Sequence, residues 1–335
     1  MRNDAGTILL SRLDVERLLT PDACIAAVED AFRQLAGGEV PAPGILGMHA
    51  DDGSFHVKAG FLGLDRRYFA AKLNANFPHN AARHGLPTIQ GAVMLSDAVD
   101  GALLAIMDSI SITALRTAAA TAVATKYLAR DECETALICG CGGQAAAQLR
   151  SLVRVRKPRR ILAYDKDAGR AAAFAAALGK ELAIPIAQTR DLAEAIRASA
   201  IVVTCTTARS FFVTREMVRP GTFIAAVGAD DEQKQEIEPL LLAGARVVTD
   251  LTGQASRIGD LHHAIVAGAM SGDMVHAELG EVITGRKPGR LRDDETFVFD
   301  STGTGLQDVA AAIAVYRRAL AERAGTRFVF SSNPG

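Results

Sequence analysis

One segment of the chain, residues 136–165, combines a short apolar run, a glycine-rich turn, an Ala/Leu-rich stretch and a second apolar run followed by an acid. The turn reads Gly140-x-Gly142-x-x-Ala145. In this arrangement the first glycine permits a tight turn, the second lets the backbone approach a pyrophosphate, and the alanine keeps the helix close to the sheet. Asp165 follows the second strand at the spacing of an acid that binds the adenosine ribose. The segment predicts a βαβ unit that binds a dinucleotide.

Composition and charge exclude several other classes of protein. The chain has 335 residues, 49% of them hydrophobic and 22% charged, with a formal net charge of -1. These values are typical of a globular protein with a large core, and the length favours two domains over one. A nearly neutral chain without an apolar run of the ~20 residues that cross a bilayer is expected to bind neither nucleic acid nor membrane.

The N-terminus and the cysteines indicate the cellular compartment. The first ten residues lack the long apolar core of a signal peptide. The five cysteines are odd in number and show neither disulfide nor zinc spacing. We therefore expect a reduced, cytoplasmic protein with no metal site.

The regions on either side of the glycine turn have different patterns. After it, strand-like segments at 184–187, 201–206, 222–228 and 246–251 alternate with helical ones, as in a doubly wound parallel sheet. Before it, strand-like segments separated by Asp-Gly and Gly-Leu turns favour an antiparallel arrangement, and they cover 8–10, 54–59, 68–74 and 91–95. An Ala-rich helix over 111–128 links the two regions. A last helix over 306–324, preceded by a strand at 296–299, is expected to pack back onto the N-terminal region.

Motifs spread along most of the chain resemble those of one protein family. They are Lys72-Leu-Asn-Ala-Asn-Phe-Pro, Gly85-Leu-Pro-Thr-Ile-Gln-Gly, Ala114-Leu-Arg-Thr-Ala-Ala, Gly140-Cys-Gly-Gly-Gln-Ala, Val227-Gly-Ala-Asp and Phe299-Asp-Ser-Thr-Gly. Together they are similar to the ornithine cyclodeaminase/μ-crystallin family, which also includes archaeal-type alanine dehydrogenases and ketimine reductases. The set is far more specific than a single glycine loop.

The resemblance implies an α/β fold in which a Rossmann domain, a doubly wound parallel sheet, is inserted into a smaller α+β domain. The smaller domain, for substrate binding and dimerisation, then comprises residues 1–115 and 304–335, and the NAD-binding domain comprises 116–303. The resemblance further implies a homodimer and NAD(H) as the cofactor. Chemistry is expected where the two domains meet.

Residues of both domains are expected to bind NAD(H). The resemblance places the cofactor against Thr88, Arg116, Thr117, Gln144 and Ser301. The glycine turn and the ends of neighbouring strands complete the predicted cofactor site with Gly140, Gly142, Gly143, Thr204, Thr206 and Val227. Asp165 and Lys166 are also predicted to bind the cofactor. Asp165 is expected to favour NAD(H) over NADP(H), because a carboxylate attracts the ribose 2′-hydroxyl and repels a 2′-phosphate.

Three residues are candidates for the chemistry. The resemblance makes Lys72 a ligand of the substrate α-carboxylate, the alternative being a surface lysine. Arg116 opens the linker helix, and its planar guanidinium suits a carboxylate or a phosphate, with a structural salt bridge as the alternative. Asp230 follows the strand at 222–228, at the carboxyl end where ligands of such sheets bind. The matching acid of the family transfers a proton beside the reacting C–N bond, whereas the alternative for Asp230 is a helix N-cap.

The chain departs from the cyclodeaminases near its start. They carry an arginine before the Asp-Gly turn, where this chain reads Pro43-Gly-Ile-Leu-Gly, and a glutamate after it, where this chain reads Ser54-Phe-His-Val-Lys. His56 and Lys58 would repel a cationic diamine such as ornithine and attract a second substrate carboxylate. Alternatively, Lys58 replaces the missing arginine in a pocket for a monocarboxylate. Either interpretation disfavours ornithine.

The expected function is NAD(H)-dependent reduction of a small α-imino acid to an L-amino acid, reversible as an amino-acid dehydrogenase. Lys72, Arg116 and Lys58 would hold the carboxylate, while Asp230 would stabilise the protonated imine and supply its proton. Iminosuccinate, which gives aspartate, is one specific case. The alternatives are an ornithine cyclodeaminase with catalytic NAD, and a non-catalytic μ-crystallin-like protein that binds nucleotide and a small ligand.

Overall fold

The computed structural model describes residues 6–330. Contacts between Cα atoms divide the chain into two compact units. The first unit comprises the residues up to Arg116 and those from Thr304 onward, and the second comprises Thr117–Gly303. Arg116, which the expected boundaries place in the NAD-binding part, thus belongs to the first unit. The roles expected of the two parts, substrate binding with dimerisation and NAD binding, stay predictions.

The first unit combines a mixed sheet with helices. Its strands are β1 (Thr7–Leu10), β2 (Gly44–Ala50), β3 (Gly53–Gly63), β4 (Arg67–Asn76), β5 (Ile89–Asp97), β6 (Leu103–Asp108) and β17 (Thr326–Phe328). Its helices are α1 (Arg12–Leu18), α2 (Pro21–Gly37), α3 (Asn80–His84) and α12 (Gly305–Glu322), and α4 (Ser109–Leu128) begins in this unit. The strand order is β17-β1-β6-β5-β4-β3-β2, and neighbouring strands are antiparallel except for β1 and β6.

Helix α12 covers one face of this sheet. It packs against β3, β4 and β5 and also against α2. Its first nine residues are all buried, including Leu306, Val309 and Ile313, whereas most of its last turns are exposed. Burial of apolar surface stabilises by about 25 cal/mol per Å² and therefore holds the helix in place. The expectation that the last helix packs onto the N-terminal region is confirmed.

The second unit contains a parallel sheet with helices between its strands. The strands of this sheet are β7 (Thr135–Cys139), β8 (Arg160–Tyr164), β9 (Ile186–Gln188), β10 (Ile201–Thr204), β12 (Phe223–Ala226), β14 (Arg246–Thr249), β15 (Ala277–Glu278) and β16 (Phe297–Asp300). A separate pair is formed by β11 (Arg209–Val213) and β13 (Gln235–Ile237). The helices are α5 (Ala145–Val155), α6 (Ala168–Leu182), α7 (Leu192–Ala198), α8 (Pro239–Ala243), α9 (Thr252–Ile258), α10 (Asp260–Val266) and α11 (Leu279–Ile283), with 3₁₀ turns at Arg215–Met217 and Gly272–Met274.

The order of strands in this sheet is β15-β14-β16-β12-β10-β7-β8-β9, and all neighbours are parallel. From β7 the chain proceeds outward through β8 and β9, and then returns to build the other half through β10 and β12. This reversal defines a doubly wound sheet, whose ligands bind at the carboxyl ends of the strands. Strands β10 and β12 are buried along their whole length, as strands covered on both faces must be. The predicted fold class is confirmed.

The predicted elements are present with shifted ends. The strand predicted at 54–59 extends over Gly53–Gly63, whereas that predicted at 222–228 covers only Phe223–Ala226, because the chain then turns away from the sheet. The linker helix begins at Ser109, so Arg116 lies about two turns inside it and does not open it. Across residues 6–330, no helix combines the length and the apolar character needed to span a membrane.

Candidate active site

Two lysines lie side by side on the face of the first unit's sheet that packs against α12. Lys58 of β3 and Lys72 of β4 are cross-strand partners, so their side chains project from the same face. Both are buried, with 8% of Lys58 and 3% of Lys72 exposed. Lysine is almost never buried without a compensating charge. The pair therefore indicates a place where an anion is held.

Helix α12 supplies an anion to this face. Asp308 Oδ1 accepts hydrogen bonds from Lys72 Nζ at 2.8 Å and from Arg116 Nε at 3.0 Å. Arg116 Nη1 donates to Gln307 Oε1 at 2.8 Å, and Lys72 Nζ also donates to Thr113 Oγ1 at 3.2 Å. Asp308 Oδ2 is buried and has no hydrogen-bond partner among the described residues. Residues of α12 thus hold together the two predicted substrate ligands, Lys72 and Arg116.

Positive charge exceeds negative charge in this cationic cluster, which we define as Lys58, Lys72, Arg116 and Asp308. They are the buried charged side chains of the first unit among its described residues. Burial lowers the pKa of Lys72 to about 7, and the charges of Arg116 and Lys58 act in the same direction, against Asp308. Burial raises the pKa of the Asp308 carboxyl, but Lys72, Arg116 and Lys58 outweigh this effect and hold the pKa below its ordinary value. A buried cluster with an excess of cations is suited to bind carboxylates.

His56 lies further along the same face of the sheet. It is half-buried, it pairs in register with Asn74, and its Nε2 lies 2.9 Å from Ser54 Oγ. Asn74 Oδ1 in turn accepts a hydrogen bond from Ser109 Oγ at 2.6 Å. The structure therefore brings Lys58 next to Lys72. His56 lies two residues before Lys58 on β3 and on the same face of the sheet.

In the second unit the glycine turn follows β7, as the sequence predicts. Gly140 has a φ of +92°, which favours glycine, and a Cβ there would lie 2.9 Å from the carbonyl oxygen of Cys205. Apart from the adjacent residues of the chain, no atom of residues 6–330 lies within 4 Å of the position that a Cβ would take at Gly142 or Gly143, so the backbone there is open to a ligand. Ala145 is fully buried at the start of α5.

Asp165 directly follows β8 and stabilises the same turn. Its Oδ2 accepts a hydrogen bond from the backbone N–H of Cys141 at 2.9 Å, and its Oδ1 accepts one from that of Asp167 at 2.9 Å. Lys166 is exposed. The carboxylate thus lies at the glycine turn, and its contact with a ribose stays a prediction.

A second loop of this unit presents a hydroxyl without a partner. Ser301 Oγ is buried and has no hydrogen-bond partner within residues 6–330. Asp250 fixes the loop by accepting hydrogen bonds from Thr302 Oγ1 at 2.8 Å and from the backbone N–H of Gly303 at 2.6 Å. An open glycine turn before a helix N-terminus, together with this hydroxyl, fits a bound dinucleotide. The turn would hold its pyrophosphate.

The other predicted cofactor residues of the second unit lie at strand ends, in the loops beside strands and helices, or in a helix. They are Thr204 at the end of β10, Thr206 two residues later, Val227 directly after β12, Gln144 before α5 and Thr117 within α4. Thr88 belongs to the first unit, and its carbonyl oxygen accepts a hydrogen bond from the backbone N–H of Phe77 at 2.8 Å. Their contacts with a cofactor stay predictions.

Asp230 lies in the turn between β12 and β13. It is exposed, and its Oδ1 accepts a hydrogen bond from Lys234 Nζ at 2.5 Å. The alternative of a helix N-cap is wrong, because the next helix, α8, has Glu238 as its N-cap. The neighbouring Asp231 instead stabilises the turn, since its Oδ1 accepts from the backbone N–H groups of Gln233 and Lys234.

Three residues of these clusters are missing from the predicted site: Gln307, Asp308 and Glu236. Asp308 is separated from Lys72 by 236 residues in the sequence, so no local pattern indicates their contact. The available signal was a Gln-Asp pair inside the otherwise apolar start of α12. Glu236 is a buried acid of β13, and the apolar run that follows it in the sequence resembles the start of a helix.

The fold and these clusters define a Rossmann-type dinucleotide-binding enzyme with a buried cationic cluster. The sequence model of the Ornithine cyclodeaminase/mu-crystallin family matches residues 6–323. The chain belongs to this family, as the motifs predict.

Several proteins are similar to this chain over most of its length. An archaeal alanine dehydrogenase dimer with bound NAD has a TM-score of 0.93 at 36% identity, covering 97% of this chain and 100% of that one. The Δ1-pyrroline-2-carboxylate reductase of Thermococcus litoralis, in complex with NADH and L-proline, has a TM-score of 0.91 at 34% identity, covering 96% and 100%. The iminosuccinate reductase of Paracoccus denitrificans is 33% identical over 92% of this chain and 95% of its own length.

Proposed function

We propose that the protein reduces a small α-imino acid to an L-amino acid with NADH, and catalyses the reverse reaction as an amino-acid dehydrogenase. At the level of class the chain is an NAD-dependent oxidoreductase, like the dehydrogenase and the reductases that it resembles. The observation that carries the proposal is the cationic cluster, in which Lys58, Lys72 and Arg116 are buried with the single carboxylate of Asp308.

We infer that the preferred substrate is a dicarboxylic imino acid, with iminosuccinate as the specific case. The buried cations of the cluster exceed its one anion by two, and two substrate carboxylates would balance them. Lys58 is the cross-strand partner of Lys72, so its ammonium group can bind the second carboxylate on the same face. The similarity to an iminosuccinate reductase also supports this substrate.

Each residue has its own task in this reaction. Lys72 and Arg116 bind the α-carboxylate, and Asp308 holds both of their side chains. Bound NADH supplies the hydride that reduces the C=N bond. Asp230 supplies the proton that the nitrogen gains, and its negative charge stabilises the protonated imine, which is the better electrophile.

A cationic diamine is a poor substrate for this cluster. His56 falls at or next to the place of the cyclodeaminase glutamate, so the distal ammonium group of ornithine would lose its counter-charge. It would also meet the charge of Lys58, and like charges brought together are unfavourable. We therefore expect little cyclodeaminase activity. A role restricted to ligand binding is disfavoured because Lys72, Arg116 and Asp230 are all present.

A panel of substrates tests the proposal. NADH oxidation is followed with oxaloacetate plus ammonia, which form iminosuccinate, with pyruvate plus ammonia and with Δ1-pyrroline-2-carboxylate. Ornithine is assayed separately with NAD⁺. We expect the fastest turnover with oxaloacetate plus ammonia. A preference for either monocarboxylic substrate would reject the dicarboxylate and leave imino-acid reduction in place, whereas no turnover with any substrate would reject an enzymatic function.

The variant Asp230→Asn tests the proton-transfer role. Asparagine keeps the shape of the side chain but removes its negative charge and its titratable proton. We expect kcat to fall by about 10²–10⁴, the range for loss of a positioned acid–base group, while the Kd of NADH stays nearly unchanged. A kcat near that of the wild type would remove Asp230 from the mechanism and leave Lys72 as the main candidate.

We also propose that the chain forms a homodimer through the sheet face opposite α12. This face carries Leu46, Met48, Phe55, Leu73 and Met94, which are between 37% and 56% exposed. Their cross-strand pairing places them on one continuous apolar surface, and such surfaces mark interaction sites. A second copy of the chain is the expected partner, because the archaeal alanine dehydrogenase that it resembles is a dimer.

A further inference from the structure

Glu236 is a fully buried acid that takes no part in the proposed chemistry. It lies in β13, and 0% of its surface is exposed. Burial raises the pKa of this carboxyl above its ordinary value, although hydrogen bonds oppose the effect. Because a buried charge is costly unless hydrogen bonds compensate it, its partners indicate which parts of the chain depend on it.

The Glu236 carboxylate accepts three hydrogen bonds. Its Oε2 accepts from Thr204 Oγ1 at 2.6 Å and from the backbone N–H of Gly228 at 2.8 Å. Its Oε1 accepts from the backbone N–H of Thr206 at 2.7 Å. Thr204 ends β10 and Gly228 follows β12, which is its neighbour in the sheet. One carboxylate thus joins the segments that leave two adjacent strands.

Gly228 packs directly against this carboxylate. A Cβ at Gly228 would lie 2.5 Å from Glu236 Oε1 and 2.5 Å from the carbonyl oxygen of Thr206, so no side chain fits. Asp230 comes two residues later, and its backbone N–H donates to the carbonyl oxygen of Gly228 at 3.1 Å. The first residue of the turn that carries Asp230 is therefore fixed to Glu236.

Two further buried acids hold this segment in place. Asp260 Oδ1 accepts hydrogen bonds from the backbone N–H groups of Glu236 at 2.8 Å and of Ile237 at 2.9 Å. Asp300 accepts from the backbone N–H groups of Asp260 at 3.3 Å and of Leu261 at 2.8 Å. The backbone of Glu236 is thus bound directly to one buried carboxylate and, through Asp260, to a second. Glu236 is therefore a fixed point against which the turn is held.

We propose that Glu236 is a positioning residue, whose carboxylate fixes the turn at Gly228 and thereby the place at which Asp230 presents its proton. The proposal rests on the proposed function, in which Asp230 is the proton donor. Amide groups that donate to a carboxylate form stronger bonds than neutral pairs do. A displacement of about 1 Å can cost about 10²-fold in rate, so a loosened turn has a measurable effect.

A double-mutant cycle tests this role on the holoenzyme. The wild type, Glu236→Gln, Asp230→Asn and the double variant are compared by kcat, KM, the Kd of NADH and Tm. Glutamine keeps the size of the side chain but turns one acceptor into a donor that faces other donors. We expect Glu236→Gln to lower kcat by about 10- to 100-fold and to raise the Kd of NADH by a much smaller factor, since two of its partners, Thr204 and Thr206, are predicted cofactor residues. In the Asp230→Asn background it is expected to lower kcat little further, because its effect passes through Asp230.

Two other variants support the cycle. Glu181→Gln removes an exposed acid that pairs with Arg150, and it is expected to leave kcat unchanged. Thr204→Val removes one of the three hydrogen bonds and keeps the buried carboxylate. If Glu236→Gln does not fold, Thr204→Val replaces it in the cycle, and a smaller fall in kcat with the same dependence on Asp230 is expected.

The outcomes separate this proposal from the proposed function. A near wild-type kcat for Glu236→Gln, or an equally large fall in both backgrounds, would overturn the positioning role and leave Asp230 as the proton donor. A parallel loss of Tm, NADH affinity and kcat would mark a structural role alone and also overturn it. A near wild-type kcat for Asp230→Asn would reject the proton-transfer role itself, and with it this role of Glu236.

Discussion

The groups around Lys72 determine its protonation state in the absence of substrate. A single oxygen of Asp308 accepts from both Lys72 and Arg116, and Lys58 adds a further charge nearby. Because burial and the charges of Arg116 and Lys58 lower the pKa of Lys72 to about 7, the amine is close to losing its proton at neutral pH. A bound carboxylate adds negative charge and favours the protonated form. Binding of an anionic substrate is therefore coupled to uptake of a proton.

This coupling predicts how binding depends on pH. Succinate is a dicarboxylate that cannot be reduced, and carboxylates with an ordinary pKa near 4 stay ionised in the relevant range. As the pH rises above about 7, Lys72 loses its charge, so the inhibition constant of succinate is expected to increase. Loss of one charge-assisted hydrogen bond, about 1.5–3 kcal/mol, corresponds to about 10- to 100-fold. Inhibition constants measured between about pH 6.5 and pH 9 check this, with the Kd of NADH as control, and a constant value would contradict a cationic role for Lys72.

Lys58 distinguishes the two interpretations of the pocket. Methionine at this position keeps much of the apolar stem and removes the charge. If Lys58 binds the second carboxylate, Lys58→Met is expected to raise KM for the dicarboxylate by about 10- to 100-fold and to change KM for a monocarboxylate little. Steady-state kinetics with both substrates measure this, and Lys180→Met, an exposed lysine on α6, is the matched control. Equal losses for both substrates would show that Lys58 only replaces the arginine of the cyclodeaminases.

Strands and helices could be predicted from the sequence wherever one local pattern was sufficient. Each of these patterns extends along a whole element: alternating side chains in β3 and β4, an apolar run in β7 and an Ala-rich sequence in α4. The predicted ends of the elements were less accurate, because pairing with a neighbouring strand can extend a strand beyond its sequence pattern. Thus β3 continues to Gly63, where it still pairs with Arg67 of β4.

Contacts between distant residues account for what the sequence did not predict. β13 exists because it pairs with β11 and because Asp260 accepts the N–H groups of Glu236 and Ile237. The apolar run after Glu236 instead resembles the start of a helix, and α8 does begin soon afterwards at Pro239. The glycine turn was predictable because all of its parts lie within one βαβ unit.

The glycine turn also carries a prediction about cofactor choice. The Asp165 carboxylate is held at this turn by the backbone N–H of Cys141, where it would repel a 2′-phosphate. We expect kcat/KM with NADH to exceed that with NADPH by at least about tenfold, since placing like charges together costs several kcal/mol. Initial rates with both cofactors at one saturating substrate concentration check this. Equal values would assign Asp165 to stabilising the turn alone.

The two units bury charges of opposite sign. Among the described residues, the first unit buries three cations and one acid, whereas the buried charged side chains of the second are all acidic, namely Glu236, Asp250, Asp260, Glu295 and Asp300. The acids of the second unit accept backbone N–H groups of turns, of strand β13 and of a helix start, so they stabilise the backbone of the unit. Among the described residues, the buried charge of the first unit is therefore net positive and that of the second is net negative.

Assembly is a property of the whole molecule, and we propose that it depends on the exposed apolar face of the first unit's sheet. Leu73 lies within the apolar sheet face that we propose as the dimer interface and is 45% exposed. Leu73→Glu would bury a carboxylate without a partner, which costs several kcal/mol, so we expect the wild type to sediment as a dimer and this variant as a monomer in analytical ultracentrifugation. Val99→Glu, at an 81% exposed position after β5, is the control and is expected to stay dimeric. A monomeric wild type, or a dimer unaffected by Leu73→Glu, would exclude this face as the interface.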